Sequence, residues 1–114
     1  MKRSNRIIVT KYPAQLIEND FYYHIPKFLF KKDYNKLPNN AKILYAILLD
    51  KLKTGYVDEE ENVYLILTRD EMCNILNMGR NTVTKLMQDL VEYDLIEDIQ
   101  MGLGIPNRIY VKGE

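Results

Sequence analysis

Between Asn39 and Lys53 the apolar residues Ile43, Leu44, Ile47, Leu48 and Leu52 recur at three- and four-residue spacing. That period places them on one side of a helix, so the stretch predicts a central core helix, ended by Gly55. Upstream, Phe21 to Phe30 (FYYHIPKFLF) is the densest apolar run in the chain. Pro26 suits a first helical position, so IPKFLF predicts one short helical turn after an extended FYYHI. Tyr34, Leu37 and Pro38 lead into the core helix. Downstream, the polar stretch Asp58 to Asn62 predicts a loop, and Val63 to Leu67 (VYLIL) a short strand.

The segment Thr68 to Val91 carries the clearest pattern. Thr68 and Glu71 have the spacing of a capping box, in which each side chain accepts the other residue's amide. Met72, Ile75 and Leu76 then share a helical face. Asn77 tolerates the left-handed conformation that ends a helix, and Gly79 fits the next N-cap. A second helix follows at once, with Val83, Leu86, Met87, Leu90 and Val91 expected on its buried side and Asn81, Thr84, Lys85 and Gln88 on the other. Two short helices joined by a tight turn read as a helix-turn-helix. After Tyr93, Leu95 to Ile99 alternates apolar and polar residues, Gln100 to Ile105 holds two glycines, and Arg108 to Val111 alternates again. Strand, glycine-bearing turn and strand in that place predict a wing with Gly102 and Gly104 at its tip and Val63–Leu67 as a third strand. The expected class is α+β, mainly α: a winged helix-turn-helix with a small antiparallel β wing.

Composition narrows the function. At 114 residues the chain is one domain. No apolar run approaches a membrane span, the amino terminus lacks a signal-peptide core, and Cys73 is the lone cysteine, so a reducing, cytoplasmic setting is expected. Net charge is zero, yet it is unevenly spread. Lys2, Arg3, Arg6 and Lys11 precede the first acid, Glu18, whereas Asp58–Glu61 and the stretch Asp89, Glu92, Asp94, Glu97, Asp98 are acidic. Any DNA-facing surface must therefore be local: the amino-terminal arm and the outer face of the second helix of the motif. The acidic stretches are expected to be solvated or to repel DNA. Residues 1–20 hold no regular element, and this basic arm is open to three readings: disordered, packed on its own domain, or paired with a second copy. His24, the sole histidine, is expected to be partly buried rather than a metal ligand, and Cys73 buried and inert. The methionines read as packing and turn residues. With no Cys/His metal spacing, no nucleophile–base pair and no phosphate-binding glycine loop, neither enzymatic activity, nor metal, nor cofactor is expected.

The order FYYHIPKFLF, AKILYAILLDKL, NVYLILTRDEM, NTVTKLMQDLVEYDLIE, GLGIPNRIYV resembles the amino-terminal domain of RepA_N-type plasmid replication initiators of low-GC Gram-positive bacteria. The resemblance covers about Phe21 to Val111, and GLGIPNRIYV is its most specific part. It implies a winged-helix domain (residues 21–114, behind the arm of residues 1–20) that binds repeated double-stranded sites at a plasmid origin, generally as a homodimer. It also implies a separate carboxy-terminal domain, absent here, through which host replication proteins would be reached. The chain departs from the family pattern at three places. Asn77 and Gly79 stand where Gly and Ser are common, and Pro38 replaces a helix-opening Ser, which moves the expected cap to Asn39.

The candidate DNA contacts are Arg80, Asn81, Thr82, Thr84, Lys85 and Gln88, on a helix face short of acids. Asn and Gln pair bidentately with adenine, Lys reaches guanine, and Thr offers a methyl to thymine. Asn107 and Arg108 join them from the wing, and Arg3 and Arg6 as phosphate contacts. Ile7, Ile8, Val9 and Tyr12 are the candidate dimerisation residues, able to extend a sheet across two copies. Two other uses of the same fold remain open at this level: a winged-helix transcriptional regulator and a protein-interaction module, the latter favoured by zero net charge.

Overall fold

Ala41, Lys42, Leu44, Tyr45, Ala46, Ile47 and Leu48 are all buried along α1 (Asn39–Lys51), so this helix is enclosed from more than one side. The computed structural model describes Lys11 and residues 21–113. Arg3, Arg6, Ile7, Ile8, Val9 and Tyr12 lie outside the described residues. Enclosure of α1 changes the expected stripe. Ile43 is 39% exposed, while Lys42 is buried with its ammonium 4.6 Å from the centre of the Phe30 ring. A long aliphatic stem can be buried when the charged end finds an aromatic face. Pro38, not Asn39, is the N-cap; it offers no side-chain bond, and its carbonyl accepts the Ala41 and Lys42 amides. A 3₁₀ turn, Leu52–Thr54, finishes the helix before Gly55. A side chain at Gly55 would put its Cβ 2.6 Å from the Tyr64 carbonyl oxygen, so glycine is required there by close approach.

The amino-terminal apolar run packs less than its composition suggests. Lys27–Phe30 forms a 3₁₀ turn with Pro26 as its cap, one position ahead of the expected first helical place. Only Leu29 of this run is fully buried, with Phe28 half-buried against Tyr34 and Tyr45. His24 is exposed rather than partly buried, because the extended FYYHI segment lies on the surface.

β1 (Tyr56–Val57) and β2 (Val63–Tyr64) form an antiparallel hairpin around the acidic turn. β1 carries no sequence signal long enough to predict it. The expected strand Val63–Leu67 is shorter than its apolar run, since Leu65 makes a single bridge to Ile109 and the ladder stops there. α2 (Arg69–Leu76) opens with the predicted capping box: the Glu71 amide donates to Thr68 Oγ1 at 3.1 Å and the Thr68 amide to Glu71 Oε1 at 3.0 Å. Asn77 is left-handed at φ 56°, ψ 46°, and Gly79 is the extended N-cap of α3 (Arg80–Glu92). Val83, Leu86, Met87 and Leu90 are buried as expected. Val91 is 47% exposed, because its place on the helix lies beside Thr84 and Gln88 rather than with Val83. The acid Asp89 is buried instead.

β3 (Ile96–Ile99) and β4 (Arg108–Val111) pair antiparallel from Ile96↔Val111 to Ile99↔Arg108. Gly102 and Gly104 take positive φ in the connecting turn. α1 packs on α3 and on β4, and the Tyr45 hydroxyl donates to the Lys112 carbonyl at 2.6 Å, tying the core helix to the wing. The result is a winged helix-turn-helix, mainly helical. Cys73 is half-buried against the core, Met72 and Met87 are buried, and Met101 is exposed near the wing tip. Among the described residues no helix is long and apolar enough to cross a membrane.

Bonds from the Thr68 backbone amide and then the Thr68 hydroxyl system hold the Glu71 carboxyl below the usual carboxylate range. A depressed folded-state value adds stability above the unfolded value, and that stability is lost as pH falls through the folded one. Glu71→Gln is therefore expected to lower stability at neutral pH. Its cost should shrink in acid, where the wild-type carboxyl is protonated as well. Urea denaturation at neutral and acidic pH checks this, and an equal cost at both would contradict it.

Candidate nucleic-acid interface

With the apolar side of α3 buried, its opposite side faces outward. Arg80, Asn81, Thr82, Lys85 and Gln88 are exposed and Thr84 is half-buried. Thr84, Lys85 and Gln88 line one open concavity together with Arg69, Val91, Glu92 and Asp98. Arg80 and Asn107 line an adjoining one with Thr68, Arg69, Pro106 and Asp98. Arg69 and Asp98 belong to both, so the two form one groove between α3 and the base of the wing.

Sequence reading did not nominate Arg69. A usable signal existed: it is the first residue of α2, where the helix dipole favours an acid over a cation. A residue that violates local preference at such a place points to a tertiary or functional role.

Each cation of the groove faces a carboxylate. The Arg80 guanidinium is paired with Asp70, both largely exposed. Arg69 lies 3.7 Å from Asp98 Oδ2, while Asn107 Nδ2 donates to Asp98 Oδ1 at 3.1 Å. The Lys85 ammonium donates to Asp89 Oδ1 one helical turn on, and this bond holds the lysine above its usual pKa range. Here the two partners differ in setting: the Lys85 side chain is 66% exposed and that of Asp89 only 7%. Asp89 Oδ2 is buried with no hydrogen-bond partner.

Arg108 does not join this groove. Strand alternation turns Ile109 into the core and sends Arg108 and Tyr110 to the other face of the wing. There the Arg108 guanidinium lies 4.4 Å from the centre of the Tyr64 ring, beside the Tyr56–Tyr64–Tyr110 row. Tyr110 donates to Asp58 Oδ2 at 2.8 Å, and Asp58 Oδ1 accepts the Glu60 and Asn62 amides. Backbone bonding from Asn62, followed by the Tyr110 hydroxyl, keeps Asp58 below the ordinary carboxylate range. Asp58 and Asp98, expected to be solvated charge, are thus structural acceptors. Asn81 and Thr82 sit on the first turn of α3, outside both concavities, and Leu103 at the wing tip is fully exposed. Among the described residues no group of three or more His, Cys, Asp and Glu is placed to hold a metal ion.

Comparison with known proteins agrees with this architecture. Residues 21–113 match the family model described as Replication initiator protein A (RepA) N-terminus. A "41 kDa protein" of Lactobacillus helveticus is 31% identical over 89% of this chain, and the chain spans 32% of that relative's length. A solved structure described as "N-Terminal domain of DNA binding protein" superposes with TM-score 0.76 at 30% identity, over 93% of this chain and 85% of that one. Another, "Structure of Rep-DNA complex", gives 0.75 at 30% identity over 91% and 84%. A third, "Structure of MDR initiator", gives 0.72 at 30% identity over 91% and 86%.

Lys85 is exposed, yet it is not independent of the fold. Removing it leaves Asp89 buried with neither carboxylate oxygen paired, the arrangement that penalises a fold most. Lys85→Ala is expected to lower the urea midpoint, and adding Asp89→Asn to recover part of the loss. No difference between the single and double variants would show that the pair contributes nothing.

Proposed function

The chain belongs to the family of replication initiator protein A amino-terminal domains, and from that premise we propose that it binds double-stranded DNA sequence-specifically, at repeated sites of a plasmid origin. In this reading it is the non-enzymatic, origin-recognising part of a longer cytoplasmic initiator. The observation that carries the proposal is the outward face of α3: Asn81, Thr84, Lys85 and Gln88 project from a helix whose other side the core holds fast. Such a helix beside a wing has the shape and chemistry to enter a major groove. The neighbour described as a Rep–DNA complex supports the same use.

Roles divide by reach. Lys85 and Gln88 read base edges, Thr84 packs against a thymine methyl, and Asn81 and Thr82 meet the first bases or the backbone. Arg69, Arg80 and Asn107 line the groove and contact phosphate. Arg108, on the far face of the wing, meets phosphate or a narrow minor groove through the wing tip. Arg3 and Arg6 add phosphate contacts from the arm, and Ile7, Ile8, Val9 and Tyr12 join two copies into a dimer on DNA. Host replication proteins are engaged through the rest of the longer protein.

The direct test is a titration against origin-repeat DNA and a scrambled duplex at two salt concentrations. Gln88→Ala is expected to cost about 1–3 kcal/mol on the preferred site and much less on scrambled DNA. Arg3→Ala should weaken both duplexes alike and flatten the log–log salt slope by about one unit. An unchanged affinity ratio for Gln88→Ala would mean that α3 does not read sequence. Equal wild-type affinity for the two duplexes would sink specific binding altogether.

Deleting residues 1–12 should leave a folded monomer whose binding is weaker and non-cooperative, measurable by sedimentation and titration. A truncated protein that still sediments as a dimer would place the interface elsewhere.

A further inference from the structure

The Lys85–Asp89 pair has an asymmetry that the Arg80–Asp70 pair lacks. Asp70 and Arg80 are both open to water, so separating them costs little. Asp89 is 5% exposed and its Oδ2 already lacks a partner. If Lys85 left, the buried Asp89 side chain would lose the hydrogen bond and ion pair that Lys85 gives its Oδ1. Lys85 is therefore held more tightly than Arg80, although its side chain is two-thirds exposed.

We propose that Asp89 is a specificity-determining residue, acting as a buried latch that withholds the Lys85 ammonium from indiscriminate phosphate contact. The proposal rests on the reading of α3 as the DNA-facing helix. A phosphate is offered by every sequence, and a solvent-exposed phosphate contact is weak compensation for stranding a buried carboxylate. Only at the preferred site is a guanine edge, with its two acceptors, held in fixed reach of Lys85 inside a closed interface, and there it competes with Asp89. Non-specific complexes thus form with Lys85 still on Asp89, and the preferred site draws it away. Asp89 touches no DNA itself; it is a positioning residue that acts through Lys85.

The experiment uses the 114-residue chain as wild type, Asp89→Asn, Asp70→Asn and the double variant Lys85→Gln with Asp89→Asn. Salt-dependent affinity is measured on the preferred and scrambled duplexes. In parallel, without DNA, the rate at which an acylating reagent modifies Lys85 is followed by mass spectrometry. Asp89→Asn should speed Lys85 modification, raise the scrambled-duplex salt slope by about 0.9, and reduce the specificity ratio several-fold. The gain in salt slope should vanish in the double variant, which lacks the Lys85 charge, and Asp70→Asn should leave Lys85 reactivity unchanged. Should Asp89→Asn fail to fold by circular dichroism, Asp89→Ser, smaller and also neutral, takes its place.

Faster modification with an unchanged slope and ratio would overturn the role in specificity, and an unchanged modification rate would overturn the latch itself. Absence of any wild-type DNA binding would overturn the DNA reading of α3 and this proposal with it. That outcome is distinguished by the wild-type titration alone.

Discussion

Burial of Val83, Leu86, Met87 and Leu90 against the α1 side of the core is the contact on which the candidate interface depends, because it removes the freedom of α3 to roll about its own axis. Every outward residue on that helix is placed by what is buried on the other side. Approach direction is set by the short turn before it. The left-handed Asn77 and the extended Gly79 leave little slack between α2 and α3, and the capping box fixes where α2 itself begins. The wing is fastened to the same core. Leu65 and Ile109 exchange two backbone bonds of 2.9 Å, the Lys112 amide donates to Leu95, and Tyr45 reaches the Lys112 carbonyl. Asn107 therefore meets Arg69 and Arg80 at a groove that no single element could form.

Zero net charge has a structural counterpart in this groove. Arg69, Arg80 and Lys85 are not diluted by distant acids; each is met by a carboxylate in direct reach. Such pairing lowers the field that draws a domain to any polyanion while leaving hydrogen-bonding groups in place for a matched partner. The acidic turn at Asp58 serves a different purpose. Its carboxylate organises its own loop and anchors Tyr110, on the face of the wing that also carries Arg108. The same residue type is thus a neutralising partner in one place and a loop organiser in the other.

Much of the fold was legible because it rests on local chemistry. The helix period of residues 39–53, the Thr68–Glu71 cap, the Asn77–Gly79 turn and the glycine-bearing wing each follow from residues within a few positions of one another. The outward face of α3 was legible for the same reason, since the buried set at Val83, Leu86, Met87 and Leu90 defines its opposite. The misassigned positions belong to another kind. Ile43, Val91 and His24 are exposed, and Lys42 and Asp89 are buried, because burial depends on what arrives from distant parts of the chain. β1 was missed since a two-residue strand has no period of its own and exists only through β2.

The sequence by itself determined the order of elements, the cap and turn chemistry and the identity of the polar face, all set by interactions spanning one or two helical turns. Tertiary structure alone decided which of the candidate residues meet. It brought Asn107 to Arg80 and Arg69, sent Arg108 to the tyrosine row on the other face, and enclosed Asp89 behind Lys85. Residue spacing cannot report these outcomes, because desolvation and ion pairing depend on the distance through space to side chains remote in sequence, and that distance is fixed only once the core has closed.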